Sequence, residues 1–264
     1  MRNEILTLLP PDYPWGQELL CFQEIGSTNT ELKAMAKAGA PEGTALIALR
    51  QTGGRGRLGR SFQSEPGGVY LSLLLRPQCR PEDLMHLTCA VAVAMCDAVE
   101  EVCGICPGIK WTNDLVYGKR KLGGILTELL FDSRGNVSGC ILGIGINCAQ
   151  EDNSFAPEIR EIALSLSSLT GRQIPPTLLA AAMLRSLHKL SRELLSEKES
   201  ILARYRRLCV TLGQEISLVR PGLVRHGKAL DITDEGTLVV EFSNGGRETV
   251  SSGEVSIRGM YGYV

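Results

Sequence analysis

Histidine is scarce in this chain: three copies among 264 residues, His86, His188 and His226, none of them inside a motif. A histidine-based triad or metal centre therefore has little to build on. Charge of one sign is lacking as well. Lysine and arginine number 28 against 29 aspartates and glutamates, a net charge of −1, so the summed basic field of a general nucleic-acid or membrane-surface binder is missing. No apolar run approaches the roughly 20 residues of a membrane-spanning helix. The opening MRNEILTLLPPDYPWG carries acids and early prolines where a secretory signal has an apolar core. Together these absences point to a cytoplasmic protein with no nucleic-acid or membrane partner.

Cysteine is not scarce. The nine copies are scattered among aliphatic neighbours in a chain too large to need disulfide staples, and are read as reduced thiols. Cys103 and Cys106 make a Cys-x-x-Cys pair, yet no second pair supplies the four ligands of a structural zinc. Cys89, Cys96 and Cys103 recur every seven residues, which places them on one buried helix face as small hydrophobes.

Glycine is abundant, and it is concentrated. Between Gln51 and Gly68 the chain reads QTGGRGRLGRSFQSEPGG, six glycines interleaved with three arginines. Glycine lets backbone N–H groups close around a ligand, and each guanidinium presents a planar fork of donors, so the stretch reads as an anion-gripping loop. Gly54, Gly56 and Gly59 satisfy Gly-x-Gly-x-x-Gly in form. A dinucleotide site also needs a helix starting at the glycines, whereas Pro66 and the strand-like Val69 to Leu75 follow. The predicted order is strand, long loop, strand.

With 44% hydrophobic and 22% charged residues, the chain suits one sizeable domain plus a small appended one. Strands are predicted at Leu19 to Ile25, Thr44 to Leu49 and Val69 to Leu75, and from about Gly108 through a series of tight hairpins to Asn147. Helices are predicted over Thr28 to Ala38, Pro81 to Val102, Pro157 to Leu169 and Pro176 to Leu208. From Gly213 short β-rich runs, the last from Glu248 to Ile257, describe a small barrel. The expected units are 1–212 and 213–264.

Four motifs stand in order: GSTN at Gly26 to Asn29, QTGGRGRLGR at Gln51 to Arg60, KWTND with KRKLGG at Lys110 to Gly124, and GIGIN at Gly143 to Asn147. In order and spacing they resemble the biotin protein ligase family from about residue 20 to the end. The resemblance implies an α+β fold, a central mixed or antiparallel sheet flanked by helices like that of class II aminoacyl-tRNA synthetases, with a C-terminal SH3-like barrel. It implies activation of biotin by ATP, with Mg²⁺, to biotinyl-5′-AMP, then transfer to a lysine of a biotin carboxyl carrier protein such as that of acetyl-CoA carboxylase. On the matching motifs, Lys121 and Arg55 are the expected catalytic residues. Ser27, Thr28, Asn29, Gln51, Arg55, Gly56, Arg57, Lys121 and Gly124 are expected at biotin, and Arg55, Arg57, Asn113, Lys121 and Asn147 at the nucleotide. Asp114 is read as orienting either Lys121 or a metal. Trp111 reads equally as sheet cover and as ligand contact. Phe62 and Leu58 depart from the tryptophan and arginine of many relatives.

The glycine-rich loop is expected to order over its ligand as a lid. The stretch before residue 19 has no helix-turn-helix pattern, so no DNA-binding repressor activity is expected. Homodimerisation by sheet-edge pairing near Val137 to Ile146 is a further expectation. Lipoate ligation is the rival enzymatic reading, disfavoured by the GRGR loop and the C-terminal barrel. A non-catalytic biotin- or nucleotide-binding module is disfavoured by the intact Lys121 and loop arginines.

Overall fold

A computed structural model describes residues 1–220, 222–251 and 256–259, with the backbone alone at Arg220 and 256–259. The strands β1 (Leu19–Ile25), β2 (Ala45–Gln51), β3 (Val69–Leu75), β4 (Gly108–Lys110), β5 (Asp114–Tyr117), β6 (Arg120–Phe131) and β7 (Val137–Ile146) form one seven-stranded sheet in the order β1-β2-β3-β7-β6-β5-β4. The β1–β2 pair is parallel and every other pair antiparallel, so the sheet is mixed. Strand β3, VYLSLLL, is buried at every position, because helices cover both faces at the sheet's centre.

Those helices are α1 (Arg2–Thr7), α2 (Thr28–Lys37), α3 (Leu87–Cys103), α4 (Leu166–Thr170), α5 (Pro176–Glu193) and α6 (Lys198–Leu208). Helix α3 packs against α5, α6 and β6, and Ala45, Ile47, Leu71 and Leu73 point into that main core. Alternate residues Leu46, Leu74 and Ile141 join Leu32 and Ala36 of α2 in a smaller core on the opposite face, as the two-residue period of a strand requires. Each fully buried leucine contributes roughly 1.5 to 3 kcal/mol, so both layers hold the floor beneath the loop after β2.

A second sheet of β8 (Glu215–Arg220), β9 (Leu223–Ile232), β10 (Leu238–Phe242), β11 (Arg247–Val250) and β12 (Ser256–Gly259) runs antiparallel in the order β11-β10-β9-β8-β12. Its two edges follow each other in the chain, the connectivity of a sheet that rolls toward a barrel. It is tied to the first unit by Trp111, whose Nε1 donates to the Gly236 carbonyl at 3.0 Å, and by Arg206, which donates to the Ile232 carbonyl at 2.9 and 2.6 Å.

Several expectations need correction. The helix predicted over Pro81 to Val102 is a 3₁₀ turn, Pro81–Leu84, then α3, with His86 between them at φ −84° and ψ 1°. Pro157 to Leu169 is not a helix until Leu166, because the backbone of Ile162 and Leu164 is committed to Lys121: Lys121 N donates to the Ile162 carbonyl at 2.6 Å, and Leu164 N to the Lys121 carbonyl at 2.8 Å. Pro176 to Leu208 divides into α5 and α6. The run read as one strand from Glu248 to Ile257 contributes to both edges of the second sheet, and its residues 252–255 lie outside the described residues. Strand β7 is hydrogen-bonded to β6 on one side and, from Cys140 to Ile146, to β3 on the other, so that stretch offers no edge for the expected pairing. All nine cysteines are free, and Cys89, Cys96 and Cys103 are buried together as expected. Burial pushes the Cys89 thiol up to about 12.

Candidate active site

The end of β1, the start of α2, the loop between β2 and β3, and the adjoining faces of β4 to β7 enclose a cavity of about 420 Å³. Ser27, Thr28, Asn29, Gln51, Arg55, Gly56, Arg57, Asn113, Asp114, Lys121 and Gly124 all line it. Of the expected site residues, Asn147 alone does not. It stands behind the wall, its N donating to the Leu122 carbonyl at 2.7 Å and its Nδ2 to the Lys121 carbonyl at 3.4 Å. Together with Ile162 and Leu164 it clamps the backbone that carries Lys121.

One end of the cavity is neutral. Ser27 caps α2, accepting from Thr30 N at 3.5 Å, and Thr28 and Asn29 follow it with 3% and 5% exposure. Gln51 Oε1 accepts from Thr28 N at 2.8 Å and from Thr28 Oγ1 at 3.0 Å, while its Nε2 donates to Ser64 Oγ at 3.0 Å. Ser72 Oγ, fully buried on β3, lies 2.8 Å from Thr28 Oγ1 and 2.5 Å from Asn29 Oδ1. The amide nitrogen of Asn29 faces Glu128 Oε2 at 3.2 Å and the Leu126 carbonyl at 3.4 Å. The glycines of GIGIN make room for this set: a Cβ at Gly143 would fall on the Asn29 amide, and one at Gly145 would press into the Phe62 ring.

The other end is cationic. Lys121 Nζ donates to Asp114 Oδ1 at 2.7 Å and lies 5.8 Å from the centre of the Phe62 ring. Arg57 Nη1 donates to Asn113 Oδ1 at 2.9 Å, while its Nη2 is buried without a hydrogen-bond partner. Burial pushes the Arg57 guanidinium below its ordinary pKa, the Asp114 carboxylate opposes this, and Arg60 adds to the depression. Lys110, 7% exposed on β4, also reaches the wall, as do Arg55 and Arg60 at its exposed rim. A buried, half-satisfied guanidinium is costly unless an anion completes it.

The loop over the cavity is itself a small hairpin. Gln51 bridges to Ser64 and Arg55 to Ser61, Gly56 N donates to the Arg60 carbonyl at 2.7 Å and Phe62 N to the Gly54 carbonyl at 2.9 Å. Only a single 3₁₀ turn, Arg57–Gly59, follows Gly56 and no α-helix starts at the glycines, so the strand–loop–strand prediction stands and the dinucleotide pattern is coincidental. Trp111 does both things open to it, lining the cavity and donating to Gly236 across the second sheet.

Sequence reasoning missed Ser72 and Glu128, and left Phe62, Lys110 and Arg60 without a role. A signal existed for the first two. Each is a polar residue within an apolar strand run, VYLSLLL and GILTELL, where an unpartnered side chain would cost free energy.

The sheet, the loop laid over it and the appended second sheet define a two-part ligase of the biotin and lipoate class. Residues 20–147 match the biotin/lipoate A/B protein ligase family, and residues 211–258 match the biotin protein ligase C terminal domain. The chain is 35% identical over 239 residues to the bifunctional ligase/repressor BirA of Bacillus subtilis, covering 90% of this chain and 73% of that protein. It is 32% identical over 251 residues to the biotin–[acetyl-CoA-carboxylase] ligase of Mycobacterium tuberculosis, covering 91% and 89%. Among solved structures, the biotin protein ligase of Aquifex aeolicus in complex with biotin and ATP superposes with a TM-score of 0.77 at 29% identity, covering 91% of this chain and 98% of that one. The chain belongs to the biotin protein ligase family.

Proposed function

We propose that the chain activates biotin with ATP and transfers it to a lysine of a biotin carboxyl carrier protein, that of acetyl-CoA carboxylase being the first expected. The observation that carries this reading is the division of one cavity into a neutral polar end at Thr28, Asn29 and Gln51 and a cationic end at Arg57 and Lys121. The neutral end suits the ureido ring of biotin, which needs uncharged donors and acceptors. The cationic end suits the junction of carboxylate and triphosphate, where negative charge accumulates.

In the first step a biotin carboxylate oxygen attacks the α-phosphorus, the bond from that phosphorus to the bridging oxygen breaks, and pyrophosphate leaves. Lys121, held by Asp114 and backed by the clamped strand, places its ammonium at the developing charge. Arg57 Nη2, with Arg55 at the rim, takes the adenylate phosphate. In the second step the carrier lysine, as free amine, attacks the acyl carbon, AMP leaves and the nitrogen loses a proton to form the amide. The glycine-rich hairpin acts as the lid that keeps water from the mixed anhydride between the steps. Residues 1–212 are the proposed catalytic unit and 213–264 the appended domain.

The residues do not build a protein cage for Mg²⁺. Asp114 is the one carboxylate on the wall among the described residues, and its Oδ1 already accepts from Lys121 and from Asn113 Nδ2 at 3.2 Å. Asp114 is therefore assigned to orienting Lys121, and a magnesium ion belongs with the nucleotide's phosphates.

One assay tests the function: ATP, Mg²⁺ and a biotin carboxyl carrier domain with either biotin or lipoate, read as the mass of the modified lysine. Biotinylation is the expected outcome, and Lys121→Ala should slow biotin-dependent pyrophosphate exchange about 10²- to 10³-fold, as loss of a group aimed at transition-state charge does. Exclusive lipoylation, or exchange unaltered in Lys121→Ala, would reject the reading.

A further inference from the structure

Behind the neutral end of the cavity, outside its lining, stands a carboxylate that no motif marked. Glu128 is half-buried on β6 and links two elements: Oε1 accepts from Lys33 Nζ of α2 at 3.0 Å, and Oε2 faces Asn29 Nδ2 at 3.2 Å. A carboxylate accepts hydrogen bonds and donates none, so it fixes the Asn29 amide with its nitrogen toward β6. The Leu126 carbonyl at 3.4 Å occupies the second amide hydrogen. Ser72 Oγ at 2.5 Å stands against Asn29 Oδ1 from the opposite side. Gly143, having no Cβ, leaves the amide the space to lie there.

The consequence is a matter of hydrogen-bond capacity. Both donors of Asn29 are taken, and what it retains for a ligand is a lone pair on Oδ1. Thr28 is in the same position, its hydroxyl hydrogen given to Gln51 Oε1 at 3.0 Å. Rotated by half a turn, Asn29 would instead present donors and leave Glu128 facing an oxygen. We propose that Glu128 is a specificity-determining positioning residue: by fixing the Asn29 amide it makes Asn29 present an acceptor at this end of the cavity and selects head groups that carry N–H donors. A ureido ring has two such donors and a dithiolane ring has none. Lys33 holds the carboxylate in place from the helix side. The proposal rests on the reading that Asn29 faces the head group of biotin, and its test separates the two.

The test uses the full chain, with KM for biotin and for ATP measured separately in Glu128→Ala, Glu128→Gln and Asn29→Ala, alongside binding of a biotin analogue methylated on the ureido nitrogens. Glu128→Ala should raise KM for biotin about tenfold, the scale of one hydrogen bond to a charged group, and leave kcat and KM for ATP within about twofold. Glu128→Gln, whose side-chain oxygen still accepts, should restore most of the loss. The preference for biotin over the methylated analogue should shrink in Glu128→Ala. If Asn29→Ala raises KM for biotin and Glu128→Ala does not, the proposal fails and the biotin pocket survives. If neither variant changes it, the pocket reading fails and this proposal with it. A parallel rise in both KM values with a lower melting temperature would mean that Glu128 only supports the fold, which also overturns the proposal.

Discussion

The two ends of the cavity are satisfied in opposite ways. At the neutral end every polar side-chain hydrogen of Thr28 and Asn29 is matched inside the protein, through Gln51, Glu128 and the Leu126 carbonyl. At the cationic end Arg57 keeps one buried nitrogen unmatched, and positive groups outnumber the single carboxylate, Asp114. The difference teaches how each end recognises. A preformed neutral network reads its ligand through the lone pairs it has left, so it costs little to maintain and discriminates by geometry. A cationic end left incomplete costs stability until the ligand arrives and discriminates by charge.

Arg57→Ala should have the largest effect of the tests that separate the two ends. Loss of a buried group that pairs with charge should weaken biotinyl-adenylate binding by about 2 to 5 kcal/mol, while biotin alone binds nearly as before. The unliganded variant should melt no lower than the parent, because the substitution also removes a guanidinium that burial disfavours. Calorimetric titration with a non-hydrolysable adenylate and a thermal melt check both halves. A clear fall in unliganded stability with adenylate affinity unchanged would reverse the assignment, making Arg57 part of the scaffold.

Much of this contrast is legible in the sequence. The cationic end is carried by residues close in the chain, the loop arginines and the KWTND–KRKLGG segment, and local spacing is what a sequence displays. Strands β1 and β3 can be read to the residue because their aliphatic runs end at a Gly-Ser pair and at Arg76-Pro77. What is not legible is register. That Asn29 meets Glu128 and Ser72 depends on β3 lying beside β7 and β7 beside β6, pairings between strands far apart in sequence. The place of Asn147 is hidden for the same reason: it follows a strand in a motif, and its side chain turns back onto the Lys121 carbonyl. The helix predicted from Pro157 fails because propensity gave way to the backbone bonds that fasten Lys121 in place.

Two glycines give a matched pair of substitutions, one for each end. At Gly143 an added Cβ would meet the Asn29 amide, which would have to leave its bonds to Glu128, Leu126 and Ser72 to yield. Gly143→Ala should therefore cost about 1 to 3 kcal/mol, as overpacking does, and the loss should appear in biotin binding. At Gly124 the nearest atoms to an added Cβ are Asp114 Oδ1 and Lys121 Nζ, both at 3.3 Å. Lys121 ends a flexible stem and can shift, so Gly124→Ala should leave biotin affinity within about threefold and act on the adenylation rate instead. The contrast breaks if the two variants show the same split between biotin KM and kcat.

The smallest effect concerns a second unmatched buried atom, outside the cavity. His86 is fully buried, its Nε2 donates to the Leu194 carbonyl at 2.9 Å, and its Nδ1 has no partner. Burial lowers its pKa, the Leu194 carbonyl opposes the shift, and the nearby Lys198 adds to it. A histidine with a depressed folded-state pKa stays neutral where the unfolded chain takes up a proton, so stability is whole above the unfolded value of about 6.5 and falls as the pH drops below it. His188, also lowered by burial, acts in the same direction. Each group contributes a slope of at most about 1.4 kcal/mol per pH unit. In His86→Gln the donor to Leu194 can persist while the titration is lost, so the loss of stability between pH 7 and pH 5 should be reduced without vanishing. Biotin and ATP should raise stability by the same amount in parent and variant at each pH, since they complete Arg57 and leave His86 as it was. An unaltered pH slope in His86→Gln would show that this unmatched atom in the core carries no linkage.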